Sequence, residues 1–178
     1  MASTSVKNFI LQQGYPEEPD STYPAHFSAL FFQPRVVGLL AALAILSQAT
    51  VIFFALSLVL WWNVAFPDRN VFDLFYNRVL AAPRGKRLIE PAPGPRRFSQ
   101  GMAATFMLAI AVSLTMHWLM AALVFEGLLI LALMALLAGR FCLGSFVYHL
   151  LHGKVTFACS TLPWSRPPRQ SSGSPSAN

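Results

Sequence analysis

Between Arg35 and Arg69, and again between Arg97 and Arg140, the chain carries no Lys or Arg. Hydrophobic residues dominate both stretches. As one straight helix each would run roughly 45–60 Å, against a hydrocarbon core of about 30 Å. Tilting absorbs part of that excess and not all of it. Each stretch is broken once by polar residues, at SQAT (Ser47–Thr50) and near TMHW (Thr115–Trp118). The pattern therefore predicts an all-α, integral membrane fold. Its core is four short transmembrane helices arranged as two hairpins, each about 14–19 residues long.

The placement of charge favours four spans over two. With two spans, Lys7 and Arg35 would lie opposite the seven basic residues of the 69–97 segment. With four, all 13 Lys and Arg share one side and both hairpin turns carry none. Basic residues concentrate on the cytoplasmic side of membrane proteins, so both termini are expected in the cytoplasm and the chain in a bacterial inner membrane.

The rest of the chain divides around those spans. Residues 1–33, with GYPEEPDSTYPAH, read as a cytoplasmic N-terminal arm. Hairpin 1 covers 34–66 and hairpin 2 covers 101–139. The 67–100 linker opens with VFDLFYNRVL, whose apolar positions 71, 72, 75, 79 and 80 have helical spacing. That predicts an amphipathic helix lying on the cytoplasmic membrane surface. The linker continues as a basic, Pro-broken loop, PRGKRLIEPAPGPRR, suited to anionic lipid headgroups or an acidic partner. Residues 140–162 read as an interfacial helix and loop, and 163–178 as a Pro/Ser-rich C-terminal arm.

Composition agrees with the patterning. Hydrophobic residues make up 55% of the chain and charged ones only 11%, where soluble domains carry roughly 25% charged. Mean hydropathy is +0.52. The net charge of +6 forms no basic helix with interleaved aromatics, so it argues for membrane orientation and not for nucleic acid. The early apolar run, Phe9–Leu11, is shorter than the ~7–15 residues of a cleavable signal core.

Candidate chemistry is sparse. Cys142, Ser145, His149 and His152 follow spacings of three, four and three, which puts them near one face of a continuing helix. Structural zinc wants four ligands and a compact set, so no metal site is assigned. His117 and His149 are the candidates for contact with a cofactor, since imidazole can ligate a haem iron or a pigment's magnesium. No intrinsic cofactor is predicted beyond a bound lipid or contact with a neighbouring pigment or haem. Glu126 is the lone acid within a span; capping, or pairing with a partner subunit, fits it better than transport. No catalytic residue set is found. Small residues such as Gly38, Ala41, Gly101, Ala104 and Gly139 allow close helix packing.

The order of features resembles a bacterial membrane family catalogued as domain of unknown function 4395. The resemblance runs from about Gln33 to Leu151 and is carried by QPRVVGLLAAL, RRFSQG and GRFCLGSFVY. Members of that family often show Phe-Cys-x-Gly-Cys at the closing segment, which implies dithiol chemistry. Here Cys142 matches the first cysteine and Ser145 stands in the second position. A serine cannot resolve a mixed disulfide.

These readings converge on a non-catalytic accessory subunit of a larger membrane complex, with photosynthetic or respiratory electron-transport assemblies as hosts by analogy. Its partners would be other membrane-protein subunits and anionic lipids. Phe9, Tyr15, Tyr23, Phe27 and Trp164 are the expected anchors, on arms that order only against a neighbour. The alternatives are a membrane thiol or sulfur-handling protein using Cys142, and a small transporter.

Overall fold

The computed structural model describes residues 3–165, and all regular structure among them is helical. Four apolar helices form the body: α3 (Phe32–Ser47), α4 (Thr50–Ala65), α6 (Gly94–Thr115) and α7 (Leu119–Leu137). Three are long and apolar enough to cross a membrane: Tyr23–Ser47, which joins α3 to the helix before it, Gly94–Thr115, and Leu119–Leu137. The 16-residue α4 is apolar but shorter.

Both hairpin breaks fall where polar residues interrupt the pattern. Gln48 takes the left-handed conformation (φ 49°) between α3 and α4, and His117 does the same (φ 57°) between α6 and α7. Neither residue is the glycine such a conformation favours. At Gln48 the side chain compensates, because its amide donates to the Ile45 carbonyl (2.8 Å) and to Glu126 Oε1 (3.1 Å). Glu126 thereby accepts a hydrogen bond within the chain that braces the first hairpin turn against α7.

The long helix α6 is the central post, with α4 and α7 packed along it. Ala41, Ala44 and Ala104 are fully buried in one cluster with Phe53, Leu60 and Met107. Small residues on one helix let large ones on the next fill the space between backbones. The Ser57 hydroxyl donates to the Ala104 carbonyl at 2.9 Å, so α4 and α6 run close together. The outward side of α7 (Leu119, Met120, Leu123, Val124, Leu131) stays exposed. That is the distribution expected of a lipid-facing helix.

One expected boundary moves: α6 starts at Gly94, seven residues before the position 101 assigned to hairpin 2, so RRFSQG is helical. Pro95 at its first turn suits a helix start, where no N–H is needed.

A larger correction concerns the N-terminal arm. Residues 3–33 build a cap from α1 (Thr4–Gln12) and α2 (Tyr23–Leu30). Phe9, Tyr15 and Tyr23 are buried within this chain, and Phe27 packs against them. Phe9 meets Phe27 and Phe31 edge-on at 5.4 and 5.3 Å, a favoured aromatic geometry. The second half of this core comes from Tyr76, Ala81, Ile89 and Cys142. The arm thus finds in the chain's own linker and closing segment the apolar surface assigned above to a neighbour. The anchoring role expected for its rings becomes an internal one.

In the linker, α5 (Val71–Phe75) continues through one wide π-type turn over Tyr76–Ala81. Val71, Phe75 and Val79 remain about half exposed, while Asp73 and Tyr76 turn inward. Of the apolar stripe read from the spacing, positions 71, 75 and 79 face outward, whereas Phe72 and Leu80 pack against the core. The closing segment holds α8 (Leu143–Leu151) and α9 (Val155–Ser160). Residues 166–178, most of the expected C-terminal arm, lie outside the described residues.

Candidate functional site at the junction of cap and bundle

Arg96 sits in the first turn of α6 and is buried. Its guanidinium forks onto Asp73 of α5, with Nη1 to Oδ2 at 2.9 Å and Nη2 to Oδ1 at 2.7 Å. Nη1 also donates to the Tyr15 hydroxyl (3.0 Å) and Nη2 to Gln33 Oε1 (3.0 Å). Asp73 is placed by Asn70, whose side-chain oxygen caps α5 by accepting from the Phe72 and Asp73 amides. Three separate segments, carrying Tyr15, Gln33 and Asp73, converge on one cation. Burying an ion pair demands such saturation, since each remaining donor and acceptor must be satisfied out of water.

Donor logic then orients the amides. A guanidinium only donates, so Gln33 must turn its oxygen to Arg96. Gln100 answers with its amide nitrogen on that same oxygen at 3.0 Å. Burial of Tyr15 holds its phenol above the usual range, against the pull of the Arg96 charge.

Beside this network lies the thiol. Cys142 is the residue before α8, not its first helical member; its backbone is extended and its N–H donates to Gln12 Oε1 at 2.9 Å. The Cys142 thiol donates to the Ser99 hydroxyl at 3.2 Å, and Ser145 lies 2.8 Å from the same oxygen. Ser99 has one proton and directs it to the Pro95 carbonyl at 2.8 Å. The Ser145 hydroxyl also donates to the Pro95 carbonyl at 3.3 Å, so both serines and the thiol gather on one turn of α6.

Gly144 explains why these segments meet. A Cβ there would lie 2.8 Å from Ser99 Cα, so α8 crosses α6 at backbone contact. RRFSQG and GRFCLGSFVY, unrelated in sequence position, are two halves of one interlock. Above it a cavity of about 100 Å³ is bounded by Arg96, Ser99, Gln100 and Cys142 on one side and by Val37, Leu60 and Leu133 on the other.

The histidines part company. His149 is buried, and its Nε2 donates to the Gln12 carbonyl at 3.0 Å, which leaves Nδ1 unprotonated and without a partner. His152, on the expected common face, is exposed and stacks on Tyr148 at 4.0 Å. His117 is exposed at the far hairpin turn. Among the described residues no three His, Cys, Asp or Glu side chains gather as a metal site. Cys159 is exposed and free. Reasoning from sequence missed Arg96, Asp73, Gln33 and Gln100. The one available signal was an Asp on the apolar-periodic VFDLF segment.

Burial pushes the His149 imidazole below its usual range, although its bond to the Gln12 carbonyl opposes this. For Glu18 burial acts upward, but the Arg87 fork and the Thr22 hydroxyl hold the carboxyl lower. Both depressed values have the same sign of linkage. As pH falls below ~6.5 the unfolded chain protonates this histidine before the folded one does, and stability drops. Near and below ~4.3 the loss of the Glu18 carboxylate adds to it. Thermal unfolding of the purified protein should shift to lower temperature between pH 7 and pH 5. His149→Gln should flatten that shift, and an unchanged slope in this variant would discount the histidine.

Residues 29–152 match the profile of the family described as Domain of unknown function (DUF4395). No curated protein and no solved structure matches the chain. The matched stretch takes in all four apolar helices, the linker with Asp73, and the Ser99–Gly144 interlock. The chain belongs to the DUF4395 family.

Proposed function

We propose that this protein is a non-catalytic subunit of a larger membrane assembly, a four-span bundle with both termini and the linker on the cytoplasmic side. The observation that supports it best is Trp164. The cap buries Phe9, Tyr15 and Tyr23, yet leaves Trp164 80% exposed. Its loop is not loose, because the Asn8 side chain donates to the carbonyls of Leu162 (2.9 Å) and Ser165 (3.0 Å) on either side. A tryptophan presented on a braced loop is the residue type on which interface energy concentrates. Energy-converting membranes, photosynthetic or respiratory, remain the preferred setting by analogy alone.

The test is mild-detergent purification of the full chain from its native membrane. Other membrane subunits should co-purify in fixed ratio, and Trp164→Ala should reduce their recovery while the bundle remains inserted. Recovery of the chain alone from native membranes would sink the proposal. The orientation is tested by single cysteines at positions 90 and 48 in a background with Cys142 and Cys159 replaced by serine. The two should label from opposite sides.

A second reading, a membrane thiol protein, draws support from Cys142 lining the 100 Å³ cavity. Ser145 supplies no second sulfur, and Ser99 hydrogen-bonds both side chains. Turnover by this route would need an external thiol to reach a buried sulfur, which makes it the weaker of the two.

A further inference from the structure

Between α4 and α6 a groove of about 450 Å³ runs along the outside of the bundle. Its floor is a row on α6 spaced by threes and fours: Arg97, Phe98, Gly101, Met102, Thr105 and Phe106; Trp61 and Val64 of α4 form the wall. Gly94, at one end of the row, lies roughly 18 Å from Phe106 along the helix axis. One leaflet of the hydrocarbon core is about 15 Å deep. The glycine opens the groove, since a Cβ on Gly101 would touch nothing nearer than Val64 at 3.8 Å.

The cation stands at the linker end. Arg97 Nε and Nη2 both donate to the Val64 carbonyl, at 3.1 and 2.8 Å. Val64 belongs to the last turn of α4, where carbonyls lack helical partners. This fixes the guanidinium at the groove mouth with only part of its five N–H groups used. Among the described residues no carboxylate lies within ion-pair distance of Arg97, whereas Arg87 has Glu18 and Glu90 and Arg96 has Asp73.

We propose that this groove is a specific phospholipid site, with one acyl chain laid along α6 from Phe98 to Phe106 and an anionic headgroup phosphate held by Arg97. A long apolar channel at bilayer depth, ended by an unpaired guanidinium at the interface, is complementary to that molecule in both shape and charge. The assignment rests on the membrane-spanning placement of α4 and α6 proposed above.

Native mass spectrometry of the full chain, extracted in mild detergent from membranes containing phosphatidylglycerol and phosphatidylethanolamine, tests it. One phospholipid should remain bound, enriched in phosphatidylglycerol relative to the membrane. Gly101→Leu fills the groove, displaces several methylenes and should lower retention by at least about tenfold. Arg97→Gln should abolish the enrichment. Melting temperatures of both variants identify any loss that comes from unfolding, and Thr105→Leu offers a second way to fill the groove if Gly101→Leu fails to fold. No retained lipid, or equal retention in wild type and both filled variants, overturns the site. Extraction of the chain from membranes by alkaline carbonate would overturn the membrane placement itself, whereas a chain that resists carbonate yet retains no lipid removes the groove assignment alone.

Discussion

Arg96→Ala should destabilise the protein by about 3–5 kcal/mol, the cost of leaving one half of a buried ion pair without its partner. The Asp73 carboxylate loses both of its bonds, at 2.7 and 2.9 Å, and Gln33 and Tyr15 lose donors. The effect should therefore extend beyond Arg96: α5 and the Tyr15 turn detach together, and proteolysis of the linker should accelerate. Arg96→Lys should rescue little, since an ammonium cannot span both Asp73 oxygens and Gln33 at once. The double change Arg96→Met with Asp73→Leu should recover much of the loss, because apolar replacement of a whole buried pair is often nearly neutral. Thermal unfolding in one fixed detergent would decide it. A shift corresponding to less than about 1 kcal/mol for Arg96→Ala would mean the network is wet and adds little.

Gly144→Ala should show the second largest effect, on the order of 1–3 kcal/mol from overpacking. The added carbon would lie 2.8 Å from Ser99 Cα and 2.9 Å from its Cβ. Backbone contact of this kind has no flexible side chain to give way, so α8 must move off α6. Cys142 and Ser145 would separate from Ser99, and the buried Cys142 thiol should react faster with maleimide. Gly127→Ala is the matched control. Nothing lies within 4 Å of a Cβ there, and mid-helix alanine is favoured over glycine. Equal stability and equal thiol reactivity for the two variants would show that α8 does not depend on that contact.

Much of the fold was legible in the chain. Unbroken apolar stretches can be satisfied only by helices, because backbone groups in lipid have no other partner. The polar breaks at Ser47–Thr50 and Thr115–Trp118 located both turns, and the spacing of VFDLFYNRVL predicted a helix where α5 lies. The segments RRFSQG and GRFCLGSFVY also pointed to the right region. Their function in the fold did not follow from either alone, since Gly144 is required by Ser99, a residue 45 positions away.

Local pattern by itself determined where the four apolar helices and the linker helix lie and where the apolar stretches break, for these depend on near neighbours and on the solvent. Tertiary structure alone decided where the polar residues of those segments point. Arg96 read as part of a basic loop suited to anionic lipids, and Phe9, Tyr15 and Tyr23 as rings awaiting a partner. Each turns inward because a segment distant in sequence supplies its complement. Sequence spacing carries no record of that pairing, because a buried charge and a solvated one are the same letter until the opposing surface is in place.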